Sequence, residues 1–312
     1  MVNDITTKEL IMKELILNKI AALMDRMNSS SNETLLLAIG KMLSNQQCLI
    51  NSDNINDYES KIFSQFGEDG IIQYLIKNIY IENNTFIEFG VENYLESNTR
   101  FLMMNNNWQG FVMDGSEEKI KSIRQREWYW KYNLTEKAVF IDKDNINDLI
   151  AKTSFSNIGI LSIDLDGNDY HIFNEICLTK INPSIIILEY NSLFGKDRFI
   201  SVPYDRTFDR TKAHYSTLFF GASLPALNYL ASKKGYYLVG CNVAGSNSFY
   251  VRKDLINEKV KELTVDIAFK ENLSRQSRNQ NNKLSYLSGN ERLEIIKGID
   301  VLNVSTGKKE KL

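Results

Sequence analysis

The chain predicts an α/β fold built on a doubly wound, mainly parallel sheet, with an antiparallel hairpin at one edge and a helical segment in front. Three observations carry this expectation. From about residue 57 onward, short apolar runs alternate with helical patterns, the rhythm of parallel strands joined by crossover helices. Several of those runs end in an acid beside a glycine, as in Glu88-Phe89-Gly90, Asp114-Gly115 and Asp164-Leu165-Asp166-Gly167. The last two runs, Tyr236 to Cys241 and Ser248 to Val251, are joined only by Asn242-Val243-Ala244-Gly245-Ser246-Asn247, which suits a hairpin and is too short for a crossover helix.

At 312 residues with 43% apolar side chains, the chain can bury a large core. We divide it into a helical segment (1–56), the α/β domain (57–255) and a C-terminal helix with a polar tail (256–312). In the first segment Met12, Ile16, Ile20, Leu23 and Met27 recur at three- and four-residue steps, the mark of an amphipathic helix over Thr7 to Met27. A second helix, Glu33 to Asn45, carries Leu35, Leu36, Ile39, Met42 and Leu43. This helical pair either packs on its own domain or joins two copies into a homo-oligomer.

Ser64-Gln65-Phe66-Gly67-Glu68-Asp69-Gly70 introduces a helix over Ile71 to Ile79. Strands are expected at Thr85 to Phe89, Gly110 to Met113, Ala138 to Ile141, Ile158 to Ile163 and Ser184 to Leu188, before the closing hairpin. Between them lie helical patterns at about Ser97 to Asn105, Glu117 to Arg124, Asn147 to Thr153, Asp169 to Cys177 and Leu224 to Lys234. Ser274 to Lys283 is nearly devoid of apolar residues, and such composition predicts a loosely ordered tail.

The 37 basic and 39 acidic side chains are interspersed and leave a net charge of −2. No electrostatic footprint for nucleic acid or an anionic membrane results. No apolar stretch approaches membrane-spanning length, and the charged N-terminal pattern is unlike a secretion signal. Cys48, Cys177 and Cys241 lack CxxC spacing, which argues against a zinc site or a disulfide framework and for a reducing, cytoplasmic setting. All three read as small core residues.

The chemistry concentrates at strand tips. In a doubly wound sheet, ligands sit beyond the carboxyl ends of the strands. There a glycine such as Gly90 lets the backbone approach a nucleoside, and an acid such as Asp114 accepts hydrogen bonds from ribose hydroxyls. Ile158 to Ile163 runs into Asp164-Leu165-Asp166-Gly167-Asn168-Asp169, and the next strand delivers Glu189-Tyr190-Asn191. Adjacent strands would bring Asp164, Asp166, Glu189 and Asn191 together as an oxygen-only set suited to a hard divalent cation such as Mg2+. Asp169 reads as a helix cap. Of the two histidines, His171 reads as packed. His214, in the polar loop Arg206 to Tyr215, is a candidate general base, with an ordinary surface histidine as the alternative.

The motifs together resemble FkbM-like S-adenosylmethionine-dependent methyltransferases over about Tyr58 to Lys253. The carriers are Ser64-Gln65-Phe66-Gly67-Glu68-Asp69, Phe86-Ile87-Glu88-Phe89-Gly90, Glu96-Ser97-Asn98-Thr99, Trp108-Gln109-Gly110-Phe111, Ser162 to Tyr170, Leu188-Glu189-Tyr190-Asn191 and Gly221-Ala222-Ser223-Leu224. The resemblance implies a class I methyltransferase layout with Glu88 and Gly90 along the methionine side of S-adenosylmethionine, Asp114 on the ribose and Asp142 beside the adenine. It puts Gln65 and Asn98 near the cofactor's carboxylate or the acceptor. Asp164 is assigned to both cofactor and metal. The family's turn usually has a second glycine where this chain has Glu92, so Glu92 is expected to face the ligand.

The implied activity is O-methylation of a hydroxyl on a sugar or sugar-containing acceptor, in surface polysaccharide or glycoconjugate biosynthesis. His214 or Asp166 would accept the proton, and a cation on Asp164 and Glu189 would acidify the hydroxyl. Two other readings stand beside it. One is a nucleotide-sugar glycosyltransferase that uses Asp164-Leu165-Asp166 as a DxD triplet; the other is a non-catalytic scaffold that dimerises through Thr7 to Asn45.

Overall fold

The computed structural model describes residues 32–312. The helix expected over Thr7 to Met27 lies outside the described residues, while residues 32–46 are helical. That helix and the turn Gln47–Leu49 after it dock on the domain through Leu37, against Ile62, Phe63 and Phe101, and through polar contacts. Ser44 Oγ donates to Gln73 at 2.9 Å, Gln47 Nε2 donates to the Gly70 carbonyl at 2.7 Å, and Glu33 pairs with the buried Arg100 at 2.8 Å.

Eight strands follow in the α/β domain: β1 (Asn83–Phe89), β2 (Gln109–Asp114), β3 (Leu134–Ala138), β4 (Ile158–Ile163), β5 (Ile185–Glu189), β6 (Ile200–Ser201), β7 (Tyr236–Cys241) and β8 (Asn247–Arg252). Seven of them form one sheet in the order β3-β2-β1-β4-β5-β8-β7. The pairs from β3 through β5 are parallel, and β8 runs antiparallel between β5 and β7. This is the α/β layout with an antiparallel edge hairpin expected from the sequence. β4 is buried at every position because helices cover both faces. One face packs Ile87, Phe89, Leu161 and Ile163 against the helices Asp169–Glu175 and Leu224–Lys233; the other packs Phe86, Val112, Ile160 and Ile187 against Glu68–Asn78.

Register brings the functional tips level. Phe89 pairs with Met113 on one side and Ile163 on the other, and Ile163 pairs with Leu188. Gly90, Asp114, Asp164 and Glu189 therefore leave the sheet at one height. At the centre, Gly90 has φ +75°, and a Cβ built there would stand 1.5 Å from the Asp164 carbonyl oxygen. Only glycine fits this crossing of β1 and β4.

Three expectations need correction. β3 is Leu134–Ala138, not Ala138 to Ile141; Val139-Phe140-Ile141 is the loop beyond its tip, apolar because it packs on the core and lines a hollow. The C-terminal stretch is not a loose tail. β9 (Asp300–Asn303) and β10 (Lys308–Lys311) join β6 in a small antiparallel sheet, and Ile296 and Val301 pack with Phe194, Ile200 and Leu218. Cys177 is exposed between two short helices, as is Cys48 after the first, and only Cys241 is a core residue. No helix among the described residues is long and apolar enough to cross a membrane.

Candidate functional site

Two hollows meet at the strand tips. The smaller, about 200 Å³, is lined by Gly90, Glu92, Asp114, Phe140 and Leu165 among others; the larger, about 330 Å³, by Gln65, Glu88, Asn98, Glu189, Asn247 and Arg292 among others. Gly90, Glu92, Asp164 and Asp166 line both. Ten of the site residues named from sequence line one hollow or both, and Asp142 and His214 line neither.

The β1 tip is built to hold Glu88 in place. Its carboxylate is buried and accepts from Ser97 Oγ at 2.6 Å, from the Asn98 amide at 2.9 Å and from Thr99 Oγ1. Burial lifts its pKa, and the hydroxyl and amide donors oppose that rise. Glu88 therefore anchors the 97–99 turn while still lining the larger hollow. Asn98 extends the network through Nδ2 to Ser162 Oγ at 3.1 Å. Gln65 is exposed on the rim, whereas its motif neighbours are structural. Asp69 Oδ2 accepts from the amides of Ile62, Phe63 and Ser64 at 2.7–2.8 Å, and Glu68 bonds Asn242 and Asn247.

The missing second glycine is explained by the turn itself. Glu92 takes φ +50°, the left-handed conformation glycine would adopt there. Its amide donates to Asp114 Oδ2 at 2.8 Å, and its side chain pairs at 2.7 Å with Lys119, which lines the smaller hollow with it. Asp114 Oδ1 meanwhile accepts from the Ser116 amide at 2.8 Å. Both oxygens are thereby fixed in direction and keep lone pairs for further donors.

Asp142 is held by its own turn and by Arg206. Its Oδ1 accepts from the amides of Asp144 and Asn145, and its Oδ2 is held by Arg206 at 2.5 Å. Burial works to raise its pKa, but Arg206 and those amides outweigh burial and keep the carboxyl low. It lines a groove that adjoins the Asp114 hollow and shares Phe140, Leu165, Asp166 and Phe208 with it.

Three of the four oxygen ligands named from sequence, the carboxylates, meet at the strand tips. One ligand atom each from Asp164, Asp166 and Glu189 lies within 4.8 Å of the others. Burial, then the repulsion of neighbouring carboxylates, pushes Asp164 and Glu189 well above the usual carboxylate range. Glu189 Oε2 is buried with no hydrogen-bond partner. Asp166, at φ +53°, is exposed and paired with Arg210 at 2.5 Å.

Asn191 lines the larger hollow with its side chain held by backbone. Its Oδ1 accepts from the Leu193 amide, and its Nδ2 donates to the carbonyls of Leu218 and Phe220. Every hydrogen-bonding group of that side chain is committed to backbone. His214 is misplaced as a base. Its Nδ1 bonds Ser216 Oγ at 2.7 Å, and it lines none of the hollows described here. Asp169 holds the acidic turn rather than capping its helix, accepting from Leu165 at 2.6 Å and Gly167 at 2.9 Å; its pKa is pushed up to about 6, burial dominating. His171 is packed as expected, with Nε2 on the Val202 carbonyl at 2.8 Å.

Sequence reasoning missed Arg210 and the C-terminal wall. Arg210 stacks 3.7 Å over the Phe220 ring, and Asn272, Ser274, Gln276 and Arg292 close the larger hollow. Nothing local marks them, because each reaches the site across a long sequence separation.

No protein-family model and no curated protein sequence matches the chain. Among solved structures it is similar to the N-terminal domain of EvdMO1 with SAH bound, at 11% identity and TM-score 0.40, over 61% of this chain and 80% of that one. It is also similar to the O-methyltransferase from Bacillus cereus in complex with SAH, at 13% identity and TM-score 0.40, over 70% and 89%. A putative caffeoyl-CoA O-methyltransferase from Staphylococcus aureus matches at 10% identity and TM-score 0.41, over 71% and 99%. At such identities the likeness extends to sheet architecture and no further.

Proposed function

We propose that the chain is an S-adenosylmethionine-dependent O-methyltransferase whose acceptor is a sugar or sugar-containing molecule. The observation that carries this reading is the pair of hollows joined at Gly90 and Asp164. The end with Asp114 and Phe140 offers an acid for ribose hydroxyls and an aromatic ring for a base. The other end is lined largely by amides, hydroxyls and carboxylates, including Gln65, Asn98, Ser246, Asn247 and Gln276, which suits a polyhydroxylated acceptor.

The chain's part in the reaction is to align and deprotonate. The acceptor oxygen attacks the sulfonium methyl in line, the new C–O bond forms as the S–C bond breaks, and holding the two in line supplies much of the rate. Burial and mutual repulsion make Asp164 and Glu189 a pair that holds one proton between them, and the member left ionised receives the hydroxyl proton. Asp166, tied to Arg210, orients the cluster. Asp164, Asp166 and Glu189 also fit a divalent cation, because the unpartnered Glu189 Oε2 sits beside two more carboxylates. Such an ion would acidify the acceptor hydroxyl.

Asp114→Ala tests the cofactor end. It is expected to weaken S-adenosylhomocysteine binding by about tenfold or more, the worth of losing a charged acceptor to ribose hydroxyls, as read by fluorescence or calorimetric titration. An unchanged affinity would place the adenosine elsewhere. His214→Ala is expected to keep single-turnover methyl transfer to a glycan extract within about threefold, whereas a true general base is worth about 100-fold or more. A loss of that larger size would restore the imidazole to the mechanism.

A further inference from the structure

The larger hollow contains a buried cation with no ion-pair partner among the described residues. Arg292 is only 5% exposed. Its Nη1 donates to the Asn272 carbonyl at 3.0 Å, its Nε has no hydrogen-bond partner, and among the described residues no carboxylate forms an ion pair with it. Burial, then the nearby positive charge of Arg210, works against the protonated guanidinium and outweighs the favourable charge of Glu271, which forms no ion pair with it. Arg210 cannot share an anion already present, because its own charge is engaged by Asp166 at 2.5 Å.

Taking an unpaired guanidinium out of water is strongly unfavourable, and such groups in native proteins are paired or meet a ligand. The tether to Asn272 needs only one neutral donor, so it does not account for an arginine. What a guanidinium offers beyond that is a planar fork of donors that receives carboxylate or phosphate oxygens in pairs. Ser274 and Gln276 line the same wall and provide neutral donors beside it.

We infer that the acceptor carries an oxyanion, a carboxylate or a phosphate, received by Arg292, so that the substrate class is an acidic or phosphorylated sugar rather than a neutral one. This rests on the methyltransferase reading for the transfer step but not for binding. The anion binds at the C-terminal wall, and the hydroxyl to be methylated lies toward Asp164 and Glu189. A hollow of about 330 Å³ accommodates one sugar ring of this kind.

The test is calorimetry on the full chain with glucuronate, glucose 6-phosphate and glucose as probes. At least one anionic probe is expected to bind about tenfold more tightly than glucose, with an affinity that falls as salt is raised, and whichever anion binds identifies the source of the charge. Arg292→Met is expected to reduce that probe to the level of glucose while S-adenosylhomocysteine affinity stays within about twofold. Equal binding of all three probes, or a preference that survives Arg292→Met, would overturn the inference. Should that variant not fold, Arg292→Lys decides: a reduced preference supports a bidentate contact, and an unchanged one overturns it. Absent S-adenosylhomocysteine binding with an intact anion preference would remove the methyltransferase reading and leave this one standing; the reverse would remove only this one.

Discussion

Glu189→Gln is expected to cut methyl transfer by about 100-fold or more while making the protein more stable at pH 8. The two effects have one cause. Asp164 and Glu189 are crowded, half-buried carboxylates whose ionised forms are disfavoured by burial and by each other. The sign of the pH effect follows from proton binding. The native state keeps protons that the unfolded chain releases at ordinary carboxylate pKa values, so stability falls as pH rises from there toward the raised native values.

Asp69 and Asp169 add to the same slope as their carboxyls, pushed from 3.8 up to about 6, ionise. A glutamine at 189 cannot ionise and removes one partner of the repulsion. The melting temperature should then rise by roughly 2–4 °C at pH 8, the scale of about 1 kcal/mol in a domain of this order, with little change at pH 5. Melting curves at both pH values, run beside single-turnover transfer, check this. A variant that is less stable at pH 8 would mean that Glu189 makes favourable contacts in the absence of ligand.

Gly90→Ala is expected to have the largest effect on stability. The backbone there is at φ +75°, which costs an L-residue about 1–2 kcal/mol, and the added methyl would overlap the Asp164 carbonyl oxygen at 1.5 Å. Relieving that overlap must part β1 from β4, and overpacking of this kind adds about 1–3 kcal/mol. The total, about 3 kcal/mol or more, is a large share of an ordinary domain's stability. Denaturant unfolding should show a lower midpoint with an unchanged slope. Because the same separation moves Asp164 and Glu189 together away from Gly90 and Asp114, the cofactor and acceptor ends should both weaken. Near-native stability would show that the turn at Gly90 is looser than its geometry.

Much of this was legible in the sequence where one principle dominates. Buried parallel strands are apolar along their length, so β1, β2, β4 and β5 stand out, and the acids that end them stand out against the apolar runs. β3 misleads because it is an edge strand. Its Glu136 is buried only because Arg124 and Tyr129 satisfy it, whereas the apolar Val139-Phe140-Ile141 that looks like a strand lines a hollow. Asn191 reads as an oxygen ligand by type, but a strand tip also needs its turn held, and backbone took the side chain. His214 reads as a base by position in a polar loop, and loop direction is set by tertiary contacts.

The C-terminal wall was illegible for a different reason. Its polar residues are ordered by long-range hydrogen bonds: Tyr190 Oη to the Lys270 carbonyl at 2.7 Å, the Asn272 amide to Ser192 Oγ at 2.9 Å and the Arg278 amide to the Ser216 carbonyl at 3.2 Å. Composition registers the polarity and not the partners.

The most direct measurement is a calorimetric titration of the wild-type chain with S-adenosylhomocysteine, alongside uridine and guanosine diphosphates with Mg2+. Saturable binding of S-adenosylhomocysteine at one site per chain, abolished or strongly weakened by Asp114→Ala, with no comparable heat from the diphosphates, is the expected result. Binding of a diphosphate through Asp164 and Asp166 with no affinity for the adenosyl ligand would contradict the account and favour glycosyl transfer.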